Sequence, residues 1–230
     1  PFTRLGETID LFERSMASTR RILELLETTF KIKNSDNPKI MKSLNENIVL
    51  ENVEFGYEDK RVFKNLNLEI NKEDFIGIAG QTGSGKTTLI KLLFRFYEIK
   101  NGEIKIDGTN INNIDIASLR SNIGLVNQEI FLFDGTIREN ICYPNTDIDD
   151  SLLMEVAQSS QCLEFIEKLD DGFDTIVGER GQKLSVGQKQ RIGIARALYK
   201  KPEILIFDEA TQKFIVQKTM NKTNITGGQY

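Results

Sequence analysis

Histidine is absent from all 230 residues, which excludes histidine general bases, histidine metal ligands and Ser-His-Asp triads together. Cysteine is scarce: Cys142 and Cys162 cannot build a disulfide framework, and free thiols suit a reducing compartment. No apolar run approaches the ~20 residues that cross a bilayer, so no segment is expected to span a membrane unaided. A basic excess is missing as well. Lys and Arg number 30 against 34 Asp and Glu, a net charge of −4, and that leaves no electrostatic footprint for nucleic acid. What is present, 39% hydrophobic and 28% charged residues, suits a globular chain and not a disordered or collagenous one. The length holds one full domain with an appendage, or two small domains. The sequence opens on Pro1 without a signal peptide, and it is expected to be a piece of something longer.

The first segment is periodic. Leu5, Ile9, Phe12, Met16, Thr19, Leu23, Leu26 and Phe30 follow an alternating four-three spacing, apolar except at Thr19. Such spacing lays one stripe along a helix of about seven turns. The stripe fits a coiled coil or an ordinary packing helix, and also the lower end of a helix that continues upstream. Residues 31–47 lose the period and gain Lys, Asn, Ser, Asp and Pro38, as a linker does, with a domain boundary near Asn47.

Beyond the linker, strand and helix signals alternate. Strands are expected at Ile48–Phe55, over the alternating Leu66, Leu68 and Ile70, and at Glu103–Asp107, Ile123–Val126 and Ile204–Asp208. Phe75–Ala79 is a further short apolar run that ends in a Gly-rich turn. Helices are expected at Lys86–Tyr97, Ser151–Ser159, Leu163–Lys168 and Gly187–Tyr199. No internal repeat is visible. The alternation predicts an α/β core around a parallel sheet, preceded by a smaller antiparallel β portion.

Three segments carry chemistry. Gly80-Gln-Thr-Gly-Ser-Gly85-Lys86-Thr87 matches G-x-x-x-x-G-K-[ST] between a strand signal and a helix signal. Glycines let the backbone wrap a phosphate, whose charge the N–H groups and the helix start attract. Lys86 would neutralise β/γ-phosphates, and the Thr87 hydroxyl would ligate Mg²⁺. Ile204-Leu-Ile-Phe-Asp208-Glu209 is an apolar strand ending in two carboxylates, delivered to the sheet edge where ligands of open α/β sheets bind. Asp208 would hold the Mg²⁺ shell, and Glu209 would orient and deprotonate an attacking water. Alone, such a pair reads as a helix cap or a solvated turn. In Leu184-Ser185-Val186-Gly187-Gln188, Ser185 and Gln188 form a capping-box pattern, which is a plain helix start and equally an anion site.

In this order, the three segments resemble the nucleotide-binding domain of an ATP-binding cassette (ABC) transporter. Gly80–Thr87 matches the Walker A loop, Leu184–Gln188 the signature (family pattern LSGGQ), and Ile204–Glu209 the Walker B strand. The resemblance implies a P-loop NTPase fold: a RecA-like parallel sheet, an antiparallel β subdomain and an α-helical signature subdomain behind a long N-terminal helix. It also implies ATP and Mg²⁺. Tyr57, otherwise a core or turn tyrosine, matches the aromatic that stacks on adenine. Gln128 in Val126-Asn-Gln128-Glu matches the glutamine that touches Mg²⁺ and the site of attacking water.

By the same resemblance, Gly80, Thr82, Gly83, Ser84, Gly85, Lys86, Thr87 and Thr88 contact nucleotide, as do Ser185, Gly187 and Gln188. The metal falls to Thr87, Gln128 and Asp208, and catalysis to Glu209, Gln128 and Lys86. Thr175–Gly181 resembles the X-loop of exporters, while Arg120 and Arg138 read as surface or interdomain residues. Arg4-Leu-Gly-Glu and Met16-Ala-Ser-Thr-Arg-Arg-Ile-Leu look like the close of the last transmembrane helix of an exporter half-transporter. The implied layout is 1–30 end of that helix, 31–47 linker, 48–211 an incomplete cassette and 212–230 an unrelated tail. The implied partners are a second nucleotide-binding domain and a transmembrane domain, at the cytoplasmic face of a bacterial inner membrane. A DNA-repair or chromatin cassette fits less well, because residues 5–30 and Glu179-Arg-Gly belong to a transporter interface.

Three departures bear on activity. Val186 stands where the family usually has Gly, a difference read as tolerated. After Thr211 no D-loop of the form S-x-L-D follows, and no switch histidine exists. The tail reads as a frameshift, an interrupted gene or a fragment ended by unrelated sequence, and its N-x-T triplets at Asn221 and Asn224 as chance matches. Phe214–Val216 lies too close to Asp208 to enter the core sheet as a parallel strand. The core is therefore expected to lack a central strand. Ile206 and Phe207 would then repack against Ile76 and Ile78 or aggregate, with hydrolysis impaired.

Overall fold

In a computed structural model, residues 2–28, 32–58, 60–208, 214–219 and 222–227 are described, and the chain divides into two units, 1–33 and 34–230. The first is the expected helix, α1 (Phe2–Glu27). Its stripe is open: Leu5, Ile9, Phe12, Met16, Leu23 and Leu26 are all more than half exposed. Among the described residues no helix is long and apolar enough to cross a membrane.

The second unit opens with β1 (Asn47–Tyr57) and β2 (Lys60–Asn71), followed by α2 (Lys86–Leu93), β3 (Asn101–Ile106) and β4 (Thr109–Asn110). Its strands form an antiparallel sheet in the order β2–β1–β3–β4. In β1 the buried residues change parity, from Ile48 and Leu50 to Val53 and Phe55. A register shift between Leu50 and Val53 absorbs the extra residue, with Asn52 at φ 50°, so both pairs meet the same core. That core also takes Leu89 and Leu92 of α2, and Met41 and Leu44 from the stretch expected as linker.

α2 stops at Leu93, short of the Tyr97 expected from its pattern. Arg95 takes the left-handed conformation at φ 51°, and Phe96 N–H bonds Lys91 O while Arg95 N–H bonds Leu92 O, both at 2.9 Å. This is a Schellman ending without its usual glycine. Arg120 stabilises it by donating to the carbonyls of Phe94 and Arg95, each at 3.0 Å. The expected surface role of Arg120 is therefore a helix-end clamp.

The chain continues through α3 (Ile116–Ser121), β5 (Ile123–Val126), α4 (Ile137–Cys142), α5 (Asp150–Ser159), α6 (Leu163–Ile166), α7 (Val186–Tyr199) and β6 (Ile204–Phe207). β5 and β6 pair in parallel, Ile123 opposite Ile204 and Val126 opposite Phe207. α4 to α7 enclose a second core around Leu132, Ile137, Ile141, Leu153, Ile166 and Ile192. Ile194 and Ala197 of α7 close on Val126 in β5, which joins the helices to the parallel pair.

Two expectations about the sheet need correction or completion. Phe75–Ala79 joins no sheet, and Phe75, Ile76 and Ile78 stand 65%, 40% and 50% exposed. An extended apolar run becomes a strand only when a neighbour takes its N–H and C=O groups. Ile206 and Phe207 rest on the two adjoining cores, while Ile76 and Ile78 stay open. β7 (Phe214–Thr219) pairs antiparallel with β8 (Lys222–Gly227) in a sheet of its own, outside the parallel pair as expected.

Candidate functional site

The phosphate-type loop is built by backbone conformation. Gly83 and Gly85 have φ of 84° and 102°, a region L-residues rarely adopt. A Cβ on Gly85 would also stand 2.8 Å from Val62 Cγ1 and 2.9 Å from Phe63 Cε1. α2 therefore begins on Gly85 with no side-chain cap. By contrast α3, α4, α5 and α7 are capped by Asp115, Thr136, Asp149 and Ser185. The first-turn N–H groups of α2 are left to whatever the loop holds. Lys86 folds over the loop, its Nζ donating to Gly80 O at 2.7 Å and Gln81 O at 3.2 Å. Gly80, Gln81, Thr82, Gly83 and Ser84 are exposed, whereas Thr88 is buried under them.

β6 delivers Asp208 to the same place. Thr87 Oγ1 lies 3.5 Å from both carboxylate oxygens of Asp208, although the two residues are far apart in sequence. This hydroxyl and carboxylate form a hard, all-oxygen donor set of the kind Mg²⁺ takes with phosphate and water completing its shell. Among the described residues no group of three or more His, Cys, Asp or Glu gathers to hold a metal alone. The donor set and the open cradle fit a Mg²⁺–phosphate group. Gln128 is exposed just beyond the end of β5, and Asp208 N–H bonds Val126 O at 3.0 Å, so both leave the same sheet edge. Glu209 lies outside the described residues.

Tyr57 neighbours the loop. Its hydroxyl is 3.3 Å from Thr88 Oγ1, and its ring meets Phe55 and Tyr97 edge-on at 5.0 and 5.2 Å. Lys91 Nζ stands 5.9 Å from the ring centre. Tyr97 is a member of this cluster that the sequence pattern assigned only to helix α2.

Ser185 and Gln188 realise the capping box: Gln188 N–H donates to Ser185 Oγ at 3.2 Å, and Ser185 N–H to Gln188 Oε1 at 2.8 Å. Gly187 follows in the first turn of α7, and Val186 projects outward at 72% exposure. The Thr175–Gly181 stretch lies along α4, with Val177 N–H on Gly135 O at 2.9 Å. Arg138 pairs with Asp174 and Asp150, tying α4 to α5 and to the stretch before Thr175.

Arg196 and Asn140 were not legible. Arg196 donates to Asn140 O (2.7 Å), Phe131 O (2.8 Å) and Asn140 Oδ1 (2.8 Å), and lies 5.5 Å from the Phe133 ring centre. Burial pulls its guanidinium below its usual pKa. Asn140 is 0% exposed. Nothing in sequence spacing distinguishes these two from ordinary helix-surface residues. Cys162 is equally buried, and burial pushes its thiol up to about 12, which makes it a packing residue and not a nucleophile.

The family model for ABC transporters matches residues 63–212. The chain is 41% identical over 212 residues to an uncharacterised ABC transporter ATP-binding protein, YwjA, of Bacillus subtilis, covering 92% of this chain and 37% of the relative. It is 37% identical over 220 residues to an ATP-dependent lipid A-core flippase of Syntrophus aciditrophicus, covering 96% and 37%. To the mitochondrial iron-sulfur clusters transporter ATM1 of Saccharomyces cerevisiae it is 40% identical over 213 residues, covering 92% and 31%. A bacterial Atm1-family ABC exporter with ATP bound superposes with a TM-score of 0.79 at 36% identity, covering 90% of this chain and 37% of that one. The chain spans about a third of the length of these relatives. On the matched model, the sequence identity and the shared fold, this chain belongs to the ABC transporter family.

Proposed function

We propose that this chain is the ATP-binding and ATP-hydrolysing domain of an ABC exporter, coupling nucleotide to export through a transmembrane domain at the cytoplasmic face of a bacterial inner membrane. The observation that carries this reading is the convergence of the Gly80–Thr87 cradle, its uncapped helix start and Asp208, 3.5 Å from the Thr87 hydroxyl. Adenine stacks on Tyr57. The phosphates lie on the N–H groups of residues 80–88, and Lys86 exchanges its two carbonyl partners for phosphate oxygens. Thr87, Asp208 and Gln128 hold Mg²⁺, which when bound neutralises charge on the phosphates. Glu209 takes the proton of the attacking water as its oxygen adds to the γ-phosphorus and the bond to ADP breaks. Ser185, Gly187 and Gln188 serve the nucleotide held by a second such domain, α1 is the end of the last transmembrane helix, and closure of the pair moves the transmembrane part.

A second reading has a specific observation in its favour. The sequence has no histidine, and Gln212-Lys-Phe-Ile follows Thr211 where relatives of this family carry a D-loop. On that reading the chain binds nucleotide but turns it over poorly, as the remnant of an interrupted transporter. Equilibrium dialysis with Mg·ATP, alongside phosphate release, tests both readings. Binding that falls more than tenfold in Lys86→Ala, the loss of about two charge-assisted hydrogen bonds, supports the nucleotide site; equal binding by the two proteins overturns it. Steady phosphate release abolished by Glu209→Gln selects the hydrolysing reading. Binding without release selects the remnant.

A further inference from the structure

We propose that Arg196 is a positioning residue: it holds the segment 127–133, and through it Gln128, in fixed register with the helix that carries Ser185. The inference rests on the nucleotide-site reading above and adds to it how that site is kept in shape. α7 is a rod with different duties at its two ends. Ser185 and Gln188 close its first turn, and Arg196 lies about three turns, or ~16 Å, further along. Between them Ile192, Ile194 and Ala195 are 0–1% exposed, so the rod is fixed by the cores on both sides.

The 127–133 segment meets this rod at two places and α4 at a third. Ile130 lies over Gly193, where an added Cβ would come within 2.6 Å of Ile130 Cδ1. Phe131 gives its carbonyl to Arg196 at 2.8 Å. Phe133 is held from both sides by Asn140, accepting from its N–H at 2.9 Å and donating to its C=O at 3.0 Å.

Asn140 has no capacity to spare. Its Oδ1 accepts from Phe133 and Arg196, and its Nδ2 donates to Phe133 O and Thr136 O, which exhausts the amide. Arg196 supplies a planar fork to the Asn140 carbonyl, the Asn140 amide and the Phe131 carbonyl at once. A lysine ammonium has no such fork and cannot span the three acceptors. Gln128 precedes the Phe131 contact of this clamp by three residues, so the anchored segment that follows fixes the backbone that carries it.

The test measures binding of ATP to the 230-residue chain by equilibrium dialysis, with Mg²⁺ and with EDTA. It compares wild type, Gln128→Ala, Arg196→Gln and the double variant. Gln128→Ala is expected to weaken Mg²⁺-dependent binding roughly fivefold, about the size of one hydrogen bond, and to leave metal-free binding unchanged. Arg196→Gln is expected to do the same, and the double variant to lose no more than either single one. If Arg196→Gln does not fold, Arg196→Lys carries the same expectation. Wild-type Mg²⁺ dependence in a folded Arg196 variant, or losses that multiply in the double variant, would overturn the inference alone. A wild-type chain that binds no ATP under either condition overturns the nucleotide reading and this inference with it.

Discussion

Gly85 and Asn140 show how much one position can decide. Gly85 must be glycine on two counts, its φ of 102° and the 2.8 Å that a Cβ would leave to Val62. Gly85→Ala should therefore lower the urea midpoint and abolish ATP binding together, because the loop and its packing on β2 move as one. Retention of wild-type ATP affinity in that variant would show that the left-handed turn is dispensable. Asn140→Ala removes both partners of the Phe133 backbone, at a residue that is 0% exposed. The Phe133 N–H and C=O and the Arg196 Nη2 all lose a partner in this part-buried site, a cost on the order of 3 kcal/mol, to be read from urea unfolding. A loss below about 1 kcal/mol would mean that water or a neighbour replaces the amide.

At the scale of elements, caps and chain reversals set where each helix begins and ends. Ser185 is legible from sequence as the start of α7, since S-x-x-Q before an apolar run is a capping signature, and the structure makes both of its bonds. Ser185→Ala should cost ~1 kcal/mol of stability, while Ser185→Asp, which also caps, should cost a few tenths. Equal losses in the two variants would show that the hydroxyl's role is not capping. The end of α2 was not legible, because the left-handed residue is Arg95, not glycine. What tolerates it there is Arg120 on a later element, which takes the carbonyls of Phe94 and Arg95. No pattern within residues 86–97 carries that information.

For the whole molecule, acid stability and solubility follow from groups that join distant segments. Asp107 accepts from the N–H groups of Asn45, Glu46 and Asn47 at 2.8, 2.7 and 3.2 Å, tying the start of the sheet to the β3–β4 turn. Burial pushes its carboxyl up, but these donors outweigh it and hold the pKa below the ordinary value. Asp115, bonded by Ser118 N–H, is held low as well, as is Asp149, bonded by the Ser151 side chain. A carboxylate with a depressed folded pKa stabilises the fold fully above its unfolded pKa of ~3.9 and loses that contribution as pH falls through the folded value. The urea midpoint should therefore drop as the pH falls below about 4, the unfolded carboxylate value, because all three folded values lie lower still. Asp107→Asn should be less stable at neutral pH and lose less on acidification; an unchanged acid profile would remove Asp107 from the cause. Separately, the open run at Phe75, Ile76 and Ile78 is an aggregation edge. Phe75→Lys with Ile78→Lys should raise the monomer fraction in size-exclusion chromatography, and an unchanged fraction would place the association elsewhere.

Local chemistry by itself determined much of this protein. The phosphate loop, the acidic end of β6, the capping box and the four-three stripe of α1 are each written as residue spacing within one continuous segment, where that spacing signals the local geometry. Tertiary structure decided what depends on chain reversal. It set the parity change in β1 at Asn52, the end of α2 at Arg95 and the recruitment of Met41 and Leu44 into the core. It brought Thr87 within 3.5 Å of Asp208 and seated Arg196 on the carbonyls of Phe131 and Asn140. It also left Phe75–Ala79 unpaired. An apolar alternation states which face seeks burial, but a strand, a clamp or a metal-donor pair exists only when a second segment arrives to complete it.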